Sequence, residues 1–450
     1  MLDRAANVRS ANHPMRVLLI STYELGHQPL AVASPATKLA DAGHEARVVD
    51  VAIAPLDREL VTWAECVAIS VPMHTAMRLA HEVVDHIRRL APMTPIALYG
   101  LYAGMSDAGD AAFVGEYEQN LVEWVSDPRP TGVRTDLSVG AFSIPARGDL
   151  PPLEQYAHLS VGDRHVAVGY VEASHGCRHR CRHCPIPSVY DGAYRIVDGD
   201  TILGDIEQLV EMGAEHITFG DPDFLNGPAH SLRVLRRAHE EFPQLSFDVT
   251  IKVEHLIGHA DRLTDLSGNG VLFITSAFET THDASLALLD KGHTGSDLER
   301  CLDLTRAAGL DVRPSWMPFM PWTQPEHVLD IFEFIERFDL FDVTDPVQLS
   351  IRLLVPRGSL VCAVAGEYLD GYDENALSYR WSSVDPRSDA LQARLAEIAS
   401  RSADGAGERV QTIADMWSAT LEACSRDVNR AQIPAGSVKG RPRMTEPWFC

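Results

Sequence analysis

The chain has 450 residues, enough for two or three domains, and its 45% hydrophobic and 23% charged content is that of a packed globular protein rather than a disordered one. With 39 basic against 63 acidic residues the net charge is -24, which disfavours bulk attraction to nucleic acid or anionic lipid. No stretch reaches the roughly 18 apolar residues of a membrane span, and residues 1–14 lack the apolar core of a signal peptide, so a cytoplasmic protein with neither membrane nor nucleic-acid partners is expected. The eight cysteines are scattered except for one group of three, which argues against a disulfide scaffold.

Residues 1–14 read as a loose, disordered tail. From Met15 buried apolar runs alternate with helical patterns. Strands are expected at residues 16–21, 44–51, 66–72, 95–100 and 111–115. Helices are expected at 30–42, closed by Gly43, at 118–125, and along Met77, Ala80, Val84, Ile87 and Ala91. This interval predicts an α/β domain over residues 15–126, a doubly wound parallel sheet of about five strands that binds ligands at strand carboxyl ends. Residues 127–164, with Pro128, Pro130, Pro145, Pro151 and Pro152, read as a linker.

A second alternation occupies residues 165–360. Its first strand, 165–173, runs straight into a cysteine-bearing loop, and a helix follows from Thr201, with Asp200 as its expected cap, to Gly213. Further strands are expected at 216–220, 246–253, 271–278, 310–319 and 347–355, with helices at 229–241, 254–266, 297–308 and 326–337. Six strand–helix repeats predict a partial (β/α)6 barrel with its chemistry at the strand carboxyl ends. Residues 361–450 read as a small helical region, with helices at 391–400 and 410–424, and an extended aromatic tail ending at Cys450.

The cysteine loop is Ser174 to Pro185, in which Cys177, Cys181 and Cys184 are spaced C-x3-C-x2-C. One tight loop can aim three thiolates at one inorganic centre, which suits a cubane cluster with three irons held by protein and the fourth open. Structural zinc is the alternative, but its ligands normally come as two separated pairs. His179 and His183 would have to complete that set from within the same loop. At the strand ends, Asp221 and Asp223 form an acidic turn that is either functional or an ordinary helix cap. Lys252, Glu254 and Glu279 end the third and fourth strands. Arg352, on the sixth, could clamp a carboxylate or form a surface ion pair.

The loop resembles the signature of the radical S-adenosylmethionine (radical SAM) enzymes, C-x3-C-x-Φ-C with Φ aromatic, and His183 stands at Φ. The resemblance implies a [4Fe-4S] cluster on Cys177, Cys181 and Cys184 and S-adenosylmethionine on its open iron. Reductive cleavage would then give a 5′-deoxyadenosyl radical that functionalises an unactivated carbon. It also implies S-adenosylmethionine contacts from His183, Asp221, Asp223, Lys252, Glu254, Glu279 and Arg352. Residues 25–30, 40–44 with Asp50, 68–71, 99–102 and 114–118 resemble, in order, the cobalamin-binding-like domain that precedes many radical SAM barrels. His27, Ser70, Gly100, Gly115 and Glu116 are the implied cobalamin positions. A D-x-H-x-x-G motif is absent from the loop after the first strand. Either cobalamin is held without a lower histidine, or the domain only shapes the substrate entrance.

The resemblance spans residues 15–360. Beyond it, Arg441-Pro-Arg-Met-Thr-Glu-Pro-Trp-Phe-Cys450 is similar to the tail of the radical SAM group ending in Cys-Cys-Ala-Glu-Pro or Cys-selenocysteine-Ala-Glu-Pro. On that reading the chain is cut at a selenocysteine codon and Cys450 is half of a redox pair; a plain terminal thiol is the other reading. The expected function is radical SAM chemistry, with methylation if cobalamin is bound. The alternatives are a cobalamin-independent maturase of a peptide or natural product using the tail thiol, and a non-catalytic iron–sulfur or zinc protein. A small-molecule or peptide substrate and an electron donor such as flavodoxin or ferredoxin are the implied partners.

Overall fold

The computed structural model describes residues 13–401, 409–431 and 440–446. They fall into two compact units. One is built from residues up to Glu24 and from Gln28 to Pro152, the other from Leu25–His27 and from Leu153 onward.

The first unit is an all-parallel sheet of β1 (Arg16–Ser21), β2 (Glu45–Asp50), β3 (Cys66–Ser70), β4 (Ile96–Tyr99), β5 (Ala111–Gly115) and β6 (Gly132–Asp136), in the order β2-β1-β3-β4-β5-β6. β3, β4 and β5 are buried throughout, which is why they read as unbroken apolar runs. The helix His74–Leu90 buries Ala76, Met77, Ala80, Val84 and Ile87 on its sheet face. The sixth strand lies in the stretch expected to be a linker. Its Gly-Val-Arg-Thr-Asp sequence is exposed at the sheet edge, so it carries no apolar run by which to recognise it.

The second unit begins with the antiparallel pair β7 (His158–Val161) and β8 (Arg164–Val171), followed by a short antiparallel pair, β9 (Ser174–Gly176) and β10 (Tyr194–Ile196). β8 then continues in parallel through β11 (His216–Phe219), β12 (Ser246–Thr250), β13 (Val271–Glu279) and β14 (Asp311–Trp316), a curled half-barrel sheet with helices between its strands. The fully buried Phe219, Phe247, Phe273, Phe278 and Trp316 come from these strands and form much of its packing. At the expected sixth strand only one parallel bridge forms, Phe319 with Arg352. Pro346–Ser350 instead make a 3-10 turn, since Pro346 has no N–H to give a ladder.

Two local expectations are corrected. The helix Gly199–Glu211 is capped by Asp198, which accepts the N–H groups of Asp200 and Thr201, so Asp200 lies inside the first turn. The helix expected at 254–266 is two short ones, Val253–Gly258 and Leu263–Gly268. The C-terminal region adds a hairpin, β15 (Leu369–Asp373) with β16 (Ser378–Trp381), and the helices Pro386–Arg401 and Arg409–Ala423. From the tail, β17 (Arg443–Met444) pairs with β7 at the sheet edge; Cys450 lies outside the described residues. Among the described residues no helix is long and apolar enough to cross a membrane.

Candidate active site

The cysteine loop is anchored before it begins. Asp221, on the turn after β11, accepts the Ala173 N–H at 2.9 Å and the Ser174 hydroxyl at 2.5 Å, which fastens the end of β8 to its neighbour. It is almost fully buried, and burial pushes its carboxyl up to about 7 despite those two donors. Gly176 has φ +78°, and a Cβ there would lie 2.6 Å from both the Tyr190 ring and the Ala193 carbonyl oxygen. Only glycine turns the chain at that point.

Cys177, Cys181 and Cys184 follow as free thiols, Cys181 buried and the others half-buried. Asn226 Oδ1 accepts the Arg178 N–H at 3.2 Å and lies 3.7 Å from Cys177 Sγ. Burial pushes the Cys184 thiol up to about 12 and raises Cys177, and proximity of the other thiols adds to both. Thiols raised as Cys177 and Cys184 are stay protonated alone and are ionised by a bound cation. Three soft donors carried on one short loop suit an iron–sulfur cubane. The two histidines that zinc would need are turned elsewhere.

His179 turns toward the ends of β11 and β12. Its Nε2 lies 3.2 Å from His255 Nε2, and its Nδ1 accepts from Lys252 Nζ at 3.1 Å. Lys252 also donates to Glu254 at 2.9 Å. Asp223 Oδ1 accepts the Leu225 N–H, while its Oδ2 lies 2.7 Å from His255 Nδ1, off the line of a hydrogen bond, and 3.6 Å from His179 Nε2. His179, Asp223 and His255 offer ligand atoms within 4.8 Å of one another. The Lys252 ammonium on the far nitrogen of His179 opposes a cation there.

His183 turns toward the end of β13. Its Nε2 is 3.0 Å from Glu279 Oε1, and Lys291 Nζ donates to the same oxygen at 3.0 Å. Glu279 adopts φ +63° at a register shift in the β13–β14 ladder. Burial alone would raise its carboxyl, but Lys291 and His183 hold it well below the usual carboxylate range. His293, pushed down to about 4 chiefly by burial with Lys291 and Lys252 adding to it, is neutral beside them.

The structure therefore gathers His183, Asp223, Lys252, Glu254 and Glu279 around the cysteine loop, with Asp221 beneath it. Arg352 is engaged differently: it donates to Asp389 and to the Trp381 carbonyl, and its guanidinium lies 3.9 Å over the Trp381 ring. Sequence reasoning passed over Asn226, His255, Lys291 and the role of His179. A Lys-Gly-His run marks Lys291 and His293, but nothing local marks the other three.

In the first unit, strand order reverses between β1 and β3, where such sheets open a crevice. Ser21 and Ser70 end these strands with buried hydroxyls that lack a hydrogen-bond partner of good geometry. Gly100 has φ +108°, with the Val71 carbonyl 3.2 Å from where a Cβ would be. Gly115 has φ +83°, and there the Asp136 carbonyl oxygen would be only 2.1 Å away. The Glu116 N–H donates to that same oxygen at 2.8 Å. Strand ends that flank the switch point with small residues and unsatisfied hydroxyls suit a bulky, amide-rich cofactor of the cobalamin kind. His27, in the second unit, packs its ring 4.8 Å from that of Tyr170, and burial pushes it down to about 4.

Residues 171–335 match the family model of the Radical SAM superfamily. The hopanoid C-2 methylase of Rhodopseudomonas palustris (strain TIE-1) is 23% identical over 269 residues, 55% of this chain and 48% of that protein, so the match spans about half the length of this curated relative. Among solved structures, the radical S-adenosylmethionine methyltransferase TsrM from Kitasatospora setae, with tryptophan substrate and a SAM analog bound, superposes with a TM-score of 0.64 at 18% identity, covering 91% of this chain and 95% of that one. The cobalamin-dependent S-adenosylmethionine radical enzyme OxsB, with aqua-cobalamin bound, gives 0.61 at 11% identity, covering 93% and 80%. At such identities these likenesses speak to fold. Residues 171–335 are a radical SAM domain, and the chain that carries it has the fold of the cobalamin-dependent radical SAM enzymes.

Proposed function

We propose that this protein is a radical SAM enzyme that binds a [4Fe-4S] cluster, S-adenosylmethionine and cobalamin and methylates an unactivated carbon of a small-molecule or peptide substrate. The observation that carries the reading is the placement of Cys177, Cys181 and Cys184 on one short anchored loop at the strand ends, ringed by charged groups from three of those strands. When bound, the cluster supplies the electron that breaks a carbon–sulfur bond of S-adenosylmethionine, and cobalamin supplies a methyl carrier.

Cys177, Cys181 and Cys184 would each hold one iron. Asp221 keeps their loop in place, and Asn226 caps its first turn. Lys252 and Glu254, with Asp223 and His255 behind them, present donors and acceptors suited to the zwitterionic methionine end and the ribose of S-adenosylmethionine. His183 and Glu279 line the opposite side. Ser70, Gly100, Gly115 and Glu116 would border the cobalamin groove. The electron would come from a small donor such as flavodoxin or ferredoxin.

Anaerobic reconstitution tests this. The protein should take up about four irons per chain, release 5′-deoxyadenosine with dithionite, and shift the spectrum of added hydroxocobalamin. The C177A/C181A/C184A variant should lose iron and cleavage together. Deoxyadenosine release by that variant at the parental rate would sink the cluster assignment, and an unshifted cobalamin spectrum would remove methylation by way of cobalamin.

A further inference from the structure

We propose that Lys291, held by Glu279 and His183, presents a fixed positive charge to the Cys181–Cys184 side of the loop and raises the reduction potential of the cluster bound there. This rests on the cluster reading above and adds a residue and a role that the signature does not contain.

Lys291 is only 3% exposed. Its side-chain hydrogen bond is to Glu279 Oε1, the atom that also faces His183 Nε2. A buried ion pair is a poor device for stability, since apolar side chains of similar volume often serve as well or better. The backbone around this pair is nonetheless held in uncommon conformations. Glu279 has φ +63°, and Lys291 is bracketed by Asp290 at +57° and Gly292 at +72°. Non-glycine residues of this kind persist where the surroundings over-determine them, and they cluster at functional sites.

The turn that carries Lys291 is clasped directly to the cysteine loop. Arg182, between Cys181 and His183, donates its N–H to the Leu289 carbonyl at 2.8 Å and its Nη1 to the Leu288 carbonyl at 2.7 Å. Gly292 has φ +72°, a conformation that favours glycine, and a Cβ there would lie 2.3 Å from Glu254 Oε2. The ammonium is thus fixed on a carboxylate, on a turn clasped to the cysteine loop between Cys181 and His183. Burial works against the ammonium of Lys291, and the Glu279 carboxylate beside it favours it. The same arrangement accounts for His183 at the aromatic position of the signature: its Nε2–H meets a carboxylate that Lys291 has already partly neutralised.

Reduction adds one negative charge to the cluster. A cation fixed in a poorly screened interior favours that reduced form over the oxidised one.

The experiment is an anaerobic redox titration of the reconstituted protein, following the signal of the reduced cluster by electron paramagnetic resonance, with iron content measured on every sample. Lys291→Met should keep its iron yet show, at the parental midpoint, a reduced-to-oxidised ratio lowered about tenfold, which is about 59 mV for one electron. Lys291→Arg, which keeps the charge, should stay near the parent. Glu279→Gln should move the midpoint upward, because the ammonium then acts unopposed. The Glu279→Gln/Lys291→Met pair leaves no buried charge unpaired and should still lie below the parent.

A parental midpoint in an iron-loaded Lys291→Met or double variant overturns the inference. If both variants fail to take up iron while the parent succeeds, Lys291 serves assembly of the loop rather than its potential, which also overturns it. If the parent itself takes up no cluster, the functional reading fails first, and the two failures are told apart by the iron content of the unmodified chain.

Discussion

The two units finish the carboxyl ends of their strands by opposite means. In the first, the positions at the carboxyl edge are backbone and hydroxyl: Ser21 and Ser70 bury hydroxyls without a partner, and Gly100 and Gly115 pack against the hydrogen-bonded carbonyls of Val71 and Asp136. In the second, the corresponding edge carries Asp221, Asp223, Lys252, Glu254, Glu279 and Lys291, and contacts among charged groups and histidines are already in place. The first is governed by close packing and is damaged by added volume. The second is governed by contacts among charged groups, so altered protonation or a lost hydrogen bond is what damages it.

The sharpest way to break this contrast is to add a single methyl group to the first unit. Gly115→Ala places a Cβ 2.1 Å from the Asp136 carbonyl oxygen at φ +83°. Relief requires β6 to separate from β5, at a cost of about 2–4 kcal/mol. Urea unfolding followed by tryptophan fluorescence should show it, and a change below about 0.5 kcal/mol would mean that the groove edge is not held by backbone packing.

In the second unit the informative change conserves volume. Asp221→Asn can keep the Ala173 N–H on its carbonyl and turn its amide N–H₂ to the Ser174 oxygen, but it replaces the 2.5 Å contact with that hydroxyl by a longer, weaker one, which costs about 1 kcal/mol and should loosen the cysteine loop. Its pH dependence has a definite sign. The Asp221 carboxyl is raised from 3.8 to about 7, so between those values the folded protein keeps a proton that the unfolded chain has released. The stability this contributes is complete below pH 3.8 and is lost as pH rises through about 7. The parent should therefore lose this increment across that window while Asp221→Asn does not, so the gap between them narrows toward pH 7. Parallel stability profiles would place Asp221 in a solvated, ordinary cap.

What was legible beforehand follows the same division. Continuous burial made β3, β4 and β5 readable, and the C-x3-C-x2-C spacing made the metal loop readable, because both are local patterns. β6 was missed because an exposed parallel edge needs no apolar run. The sixth barrel strand was over-read because the apolar residues of 347–355 pack without a ladder once Pro346 starts a 3-10 turn. Asp200 and Asp198 are chemically equivalent as caps two residues apart, and only backbone geometry chooses between them. The His179–His255 contact joins residues 76 apart in sequence. The Glu279–Lys291 pair depends on three positive φ angles, and neither chain separation nor backbone hand is written in residue type alone.

The smallest predicted effect has the opposite sign from the others. Ser21 buries its hydroxyl completely at the end of β1, where the oxygen lacks a partner. Folding without a ligand must strip water from that group and return nothing, so Ser21→Ala should stabilise the ligand-free protein by up to about 1 kcal/mol. If the groove is built to give the hydroxyl a partner only when cobalamin is bound, the same variant should bind hydroxocobalamin more weakly, by a few-fold to about tenfold. A variant that is stabilised without losing affinity would show that the crevice between β1 and β3 carries an unsatisfied hydroxyl for no ligand of this kind. That would separate the fold of the first unit from the cofactor its shape suits.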